Sequence, residues 1–108
     1  MSASLTSTRK LKLSVTVRVM DSFHGNRISD LLFDMFKKNG FEEAVMFLAD
    51  RGYDRRGLAT SGVLGLSLKL HVTIETIEEK EKLLPLVPRI KEIVGSNGWI
   101  TLQEVEVL

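Results

Sequence analysis

The residues best suited to chemistry lie in one stretch, Arg51-Gly52-Tyr53-Asp54-Arg55-Arg56-Gly57, continuing through Leu58-Ala59-Thr60-Ser61-Gly62 to Gly65. Arg51, Arg55 and Arg56 bring forked donors that match a phosphate or a carboxylate. Gly52 and Gly57 allow the backbone to approach a ligand closely. Tyr53 adds a stacking face and a hydroxyl. This set points to capture of a small anion. It does not point to bond breaking, because no Ser or His in view has the partner that nucleophilic catalysis needs. The plainer reading of the same stretch is a solvated hairpin extension.

Other reactive side chains are sparse. His24 and His71 are the only histidines, and cysteine is absent. That excludes disulfides, thiolate metal sites and cysteine nucleophiles, and no His/Asp cluster has metal-ligand spacing. His24 is expected to shape a turn into the first helix, and His71 to make an interface hydrogen bond. Glu104 and Glu106 read as solvated or interfacial strand residues, and Trp99 as a packing anchor. With 15 basic and 14 acidic residues the formal charge is +1, so no general field favours nucleic acid or membrane. Any electrostatic function is local.

The elements that must position the loop follow from periodicity. Leu13, Val15, Val17 and Val19 alternate with Lys12, Ser14, Thr16 and Arg18, which predicts a strand from Leu11 with one buried face. Ile28, Leu31, Leu32, Met35 and Phe36 recur at helical spacing, with Asn26 as the expected cap and Gly40 as the left-handed stop. The apolar run Ala44 to Ala49 predicts a second strand buried on much of both faces. A third strand is expected where Leu66, Leu68, Leu70, Val72 and Ile74 alternate with polar residues. Glu78 to Val94 reads as a second helix. Pro85 and Pro88 should kink it near Leu84 or divide it. Trp99 to Leu108 gives a fourth strand, and its change of parity suggests a turn or bulge near Gln103.

The order β-α-β-β-α-β, with one-stripe helices and one-faced strands, implies an α+β ferredoxin-like two-layer sandwich: an antiparallel four-stranded sheet covered by two helices on one side. Residues 1–10 are expected to form a mobile N-terminal tail, and 11–108 a single domain. The opposite sheet face, with Lys12, Ser14, Thr16, Lys69, His71 and Thr73, must meet water, a ligand or another subunit. The Ser/Thr-rich start lacks a signal-peptide apolar core, and no apolar run nears the roughly 18 residues of a membrane span. A cytoplasmic protein is expected.

Arg51-Gly52-Tyr53-x-Arg55 at the end of the second strand resembles the T-loop base of PII-type signalling proteins. The likeness is nearer to the PII-like family catalogued as a domain of unknown function. It includes His24-Gly25, Asn39-Gly40, Glu78-Glu79-Lys80, Leu84-Pro85 and Thr101-Leu102-Gln103-Glu104-Val105, over roughly Leu11 to Leu108. The resemblance implies a homotrimer whose sheets face its axis, with ligand clefts between subunits overhung by the loop 52–65. It implies a regulator, not an enzyme, which binds a small anionic effector, nucleotides included, and reports occupancy to a protein target. The implied ligand residues are Arg51, Gly52, Tyr53, Arg55, Arg56 and Gly57, with no resident metal or cofactor.

Two departures from the PII pattern bear on the ligand. Asp54 stands where glycine commonly follows the aromatic, and its carboxylate repels phosphate unless a metal or Arg55 neutralises it. The segment before the second helix, Glu75-Thr76-Ile77-Glu78-Glu79, is acidic and glycine-free. A phosphate cradle needs clustered N–H groups and positive charge, so the usual ATP grip is not implied. Three other families share the topology. A divalent-metal-binding CutA-type trimer would need more ligands than two scattered histidines. An amino-acid-binding ACT-like domain would use the Asp21–Gly25 loop. An RNA-recognition motif would need aromatics on the third strand, where Ser67, Lys69, His71 and Thr73 stand.

Overall fold

The computed structural model describes residues 7–61 and 67–108. The first strand, β1 (Thr8–Arg18), leads into a small hairpin, β2 (Ser22–Phe23) and β3 (Asn26–Arg27), and then α1 (Ile28–Lys38). Strand β4 (Val45–Leu48) is followed by a second hairpin, β5 (Arg51–Asp54) and β6 (Gly57–Thr60). A 3-10 turn at Ser67–Lys69 precedes β7 (His71–Glu78). The chain closes with α2 (Lys80–Leu83), a 3-10 turn at Leu84–Leu86, α3 (Val87–Val94) and β8 (Trp99–Val107).

The main sheet has the order β4-β7-β1-β8 and every pairing is antiparallel. With α1, α2 and α3 against it, this is the ferredoxin-like α+β plan. Odd-numbered residues of β1 turn toward the helices, because side chains alternate across a strand. Leu13, Val15 and Val17 are buried there with Ile28, Leu32 and Phe36 of α1, Ile74 of β7, and Leu83, Ile90 and Val94. Even-numbered residues face the other way and bond across strands. Thr16 and Thr73 hydroxyls lie 2.7 Å apart, and Ser14 donates to Glu75 at 2.9 Å.

Several expectations are corrected. β1 begins at Thr8, so Thr8–Lys10 pair with Val105–Val107 and do not belong to a tail; the rest of the expected tail, 1–6, lies outside the described residues. Arg27, not Asn26, is the cap position of α1, and no side chain caps it. Asn26 instead pairs with Phe23 across the tight His24-Gly25 turn, where both central residues have positive φ. At the other end Gly40 does close the helix, at φ +72°.

The second strand lies at the sheet edge, so Val45, Met46, Phe47 and Leu48 are exposed in the single chain instead of buried on both faces. The third strand begins at His71; Leu68 lies in the 3-10 turn and is exposed, and Leu66 lies outside the described residues. The prolines divide the second helix, as anticipated, with Pro85 in the 3-10 turn and Pro88 in the first turn of α3.

No bulge interrupts β8, whose register with β1 runs unbroken from Thr16↔Trp99 to Thr8↔Val107. The parity change has another cause. Beyond Leu102 the helix-side positions of this edge strand are exposed, and Glu104 and Glu106 occupy them. Both of these pair with Arg9, and Glu104 also with Lys80. The long connection after β4 is a hairpin over its first part, β5 and β6; Gly62 to Gly65 lie outside the described residues.

Candidate functional site

The β5–β6 hairpin forms its own two-stranded sheet, paired Arg51↔Thr60, Gly52↔Ala59, Tyr53↔Leu58 and Asp54↔Gly57. Alternation gives it two unlike faces. Arg51 and Tyr53 point outward, and Tyr53 is 80% exposed. Gly52 and Asp54 point at the main sheet. A Cβ on Gly52 would lie 2.6 Å from Nδ1 of His71, so only glycine lets the hairpin lie on the imidazole. Asp54 shapes the tip, its Oδ1 accepting the Arg56 amide at 2.7 Å.

Asp54 is also the centre of a charge cluster. Arg18, the last residue of β1, donates to it through Nε at 3.1 Å and Nη2 at 2.7 Å, in the two-pronged manner that suits a carboxylate. Nη2 donates as well to the Gly57 carbonyl at 2.6 Å. The Arg18 side chain is 3% exposed and that of Asp54 14%. His71, directly opposite Arg18 in the sheet register, has Nε2 at 2.9 Å from Asp54 Oδ2. An ionised carboxylate only accepts, so Nε2–H is the donor. Hydrogen bonding from Arg18, against the opposing effect of burial and with help from His71 and the Arg56 amide, holds Asp54 well below the usual carboxylate range.

A second carboxylate completes the cluster. Asp21 receives Arg56 Nη1 at 2.7 Å and Nη2 at 2.9 Å, and its Oδ2 accepts the Arg18 amide at 2.7 Å. Burial alone would raise its pKa. The bonds from Arg56 and the Arg18 amide outweigh that and lower it, while Asp21 in turn raises Arg56. Arg56 Nη2 also donates to the Asn97 carbonyl at 2.8 Å, and Arg55 to the Ser96 carbonyl at 2.8 Å. The hairpin tip is thus tied to two places on the body, the end of β1 and the α3–β8 connection.

Between the tip and that connection lies an open cleft of about 450 Å³, lined by Asp54, Arg55, Arg56, Ser96, Asn97, Gly98 and Trp99. Gly98 sets its wall, because a Cβ there would fall 1.9 Å from the Thr16 carbonyl oxygen. Close approach at Gly98 carries Trp99 onto the open sheet face, half exposed and tilted against His71 at 6.0 Å.

The structure divides the residues that the sequence singled out. Arg55 and Arg56 line the cleft, Gly57 offers its carbonyl to Arg18, and Gly52 rests on His71. Arg51 and Tyr53 lie on the outward face, where among the described residues the Arg51 guanidinium has no partner. Asp54 is neutralised by Arg18 and Arg56 and hydrogen-bonded by His71, whereas Arg55, the partner anticipated for it, bonds Ser96. His71, expected to bond across an interface, bonds Asp54 of its own chain. Arg18, Ser96, Asn97 and Trp99 entered no sequence-based site, and Asp21 entered only as the start of the loop that an ACT-like domain would use. Arg18 looked like the next polar residue of an alternating strand, and nothing local marks a pairing 36 positions away. Among the described residues no His, Cys, Asp or Glu cluster is arranged to hold a metal ion, and no helix is long and apolar enough to cross a membrane.

A ferredoxin-like sheet carrying a long hairpin between its second and third main strands is the PII-like fold. The chain superposes on CPII, a nitrogen regulatory PII-like protein from Thiomonas intermedia K12 whose structure holds ADP, AMP and bicarbonate, with a TM-score of 0.69 at 12% identity over 95% of this chain and 97% of that one. A putative PII-like signaling protein from Thermus thermophilus superposes with a TM-score of 0.68 at 16% identity over 96% and 94%. Residues 10–107 match the DUF190 family, described as an uncharacterized ACR, and the chain belongs to that family. It is also 27% identical over 95 residues to the UPF0166 protein MJ1524 of Methanocaldococcus jannaschii, covering 88% of each chain.

Proposed function

We propose that this protein is a PII-like regulator that takes a small anionic effector in the cleft beneath the β5–β6 hairpin, whose position reports occupancy to a protein target. The observation that carries this reading is the cleft itself. Arg55 and Arg56 stand on one side, the half-exposed Trp99 ring on the other, and the hairpin that closes it belongs to neither helix nor main sheet. An effector with a flat ring and an anionic group would stack on Trp99 and pair with Arg55. The ADP, AMP and bicarbonate held by CPII supply the first candidates.

We read the protein as a binding protein and not an enzyme, because its charged groups satisfy one another around Asp54 and Asp21. A trimer fits the surface. Val45, Phe47 and Leu48 on one sheet edge and Trp99, Leu102 and Val107 on the other are exposed in one chain, and assembly would cover them. Calorimetry with ADP, AMP, ATP and bicarbonate, together with the solution mass from light scattering, tests the proposal. Saturable binding of one ligand that weakens in Arg55→Ala supports it. No heat from any of the four, or binding that Arg55→Ala and Trp99→Ala leave unchanged, removes it.

A further inference from the structure

We propose that Arg18 and His71 form a receptor for a planar oxyanion of carboxylate shape, which the chain's own Asp54 occupies while the hairpin is down. This deepens the reading of an anionic effector by naming the group that the effector must displace. Among the described residues, the acceptors of the Arg18 side chain are the Asp54 carboxylate and the Gly57 carbonyl, both supplied by the hairpin. The main sheet supplies none. Arg18 is buried at the end of β1 while the hairpin covers it, and a guanidinium held in a fixed site gains most from a carboxylate that accepts from two of its N–H groups. When the hairpin lifts, both acceptors leave together, and the uncovered donors are open to water or to a free anion of the same shape.

The shape of that anion is set by the donors. Nε and Nη2 of Arg18 address the two oxygens of one O–C–O group, and Nε2–H of His71 adds a donor to one of them. A carboxylate or a bicarbonate can replace Asp54 atom for atom. The hairpin is suited to exchange because its strands form a separate two-stranded sheet, and such a hairpin is marginal on its own. At its base Ala49 donates its amide to the His71 carbonyl, and Ser61 its amide to the Asp50 carbonyl. At its tip the Asp54–Arg18 and Arg56–Asp21 pairs decide whether it stays down. A tethered carboxylate is a competitor at high effective concentration, so it weakens capture of a free oxyanion and couples capture to release of the hairpin.

The test is chemical rescue in the full chain. Asp54→Ala should melt at lower temperature than wild type and be cut by trypsin after Arg55 and Arg56 about tenfold faster or more, equivalent to about 1.4 kcal/mol. Acetate, formate or bicarbonate should raise its melting temperature saturably, relative to chloride at the same ionic strength, with at least about tenfold higher affinity than in wild type. Arg18→Met/Asp54→Ala should not respond. In wild type the same anions should hasten the tryptic cuts, since they take Arg18 from Asp54. Should Asp54→Ala fail to fold, Asp54→Asn keeps the shape without the charge and takes the same titrations. Equal melting in all four salts, an equal response in the double variant, or rescue by inorganic phosphate and not by carboxylates overturns the inference. Nucleotide binding without oxyanion response would sink this inference alone; oxyanion response without nucleotide binding would leave it standing and remove the nucleotide version of the proposed function.

Discussion

The two faces of β1 are built from the same alternation yet are held by different physics. Toward the helices, Leu13, Val15 and Val17 are buried by apolar neighbours from α1, β7 and α3. Toward the open side, Thr16 and Arg18 are also buried, but by hydrogen-bonded partners on β7 and the hairpin. Burial of the first kind is non-directional and scales with area, so many side chains of the right size would serve. Burial of the second kind requires particular acceptors at particular distances. The helix face is therefore a stable platform, and the open face is a place where one partner can be exchanged for another.

The deepest break comes from the helix face. Leu13→Ala should cost about 2–5 kcal/mol, read as a lower denaturant midpoint for the whole chain. Protection from hydrogen exchange should fall in the sheet and the helices together. Loss confined to the hairpin would show that this face is not the platform.

Gly52→Ala should act on the other face with a smaller cost, about 1–3 kcal/mol of overpacking against His71. Here the loss should be local, with amides of 51–60 exchanging faster while β1 and β7 keep their protection. If the global midpoint fell as far as for Leu13→Ala, the two faces would not be separable.

Acid gives a gentler version of the same contrast. Asp54, surrounded by Arg18, His71 and Arg56, and Asp21, surrounded by Arg56 and the Arg18 amide, both ionise below the usual range. Their stabilisation is complete above the unfolded carboxylate value of about 3.9 and is lost as pH falls toward the lower folded values. Tryptic or exchange protection of the hairpin should stay constant from neutral pH to about 5 and then drop before the apolar core yields. Simultaneous loss would contradict the assignment. The smallest effect is expected where neither kind of burial operates. Glu104→Gln, at an exposed pair with Arg9 and Lys80, should change stability by less than about 1 kcal/mol.

Much of the platform was legible along the chain. The Leu13-Val15-Val17 alternation, the Ile28 to Phe36 stripe, Gly40 as a stop and the break at Pro85 each depend on neighbours a few positions away. Expectations failed where cover came from afar. The run Val45 to Leu48 looked like an interior strand, but its place at the edge is decided by β7 pairing it on one side only. The parity of β8 looked like a bulge because its sequence does not tell that the helix-side positions beyond Leu102 are exposed. At the site, the sequence marked Arg55, Arg56, Gly52 and Gly57 by type, and it read Asp54 as an obstacle to anions.

By itself, then, the sequence determined the order of the main elements, the apolar face of the first strand and of the first helix, and the concentration of arginine and glycine in one connection, since all three are written in local period and composition. Only the tertiary structure decided that the connection is a hairpin lying on His71, that Arg18 and Asp54 meet across 36 positions, and that Trp99 faces Arg55 over a cleft. Those contacts depend on the sheet register and on close approach at Gly52 and Gly98. A charged side chain also carries no local sign of which distant partner will neutralise it.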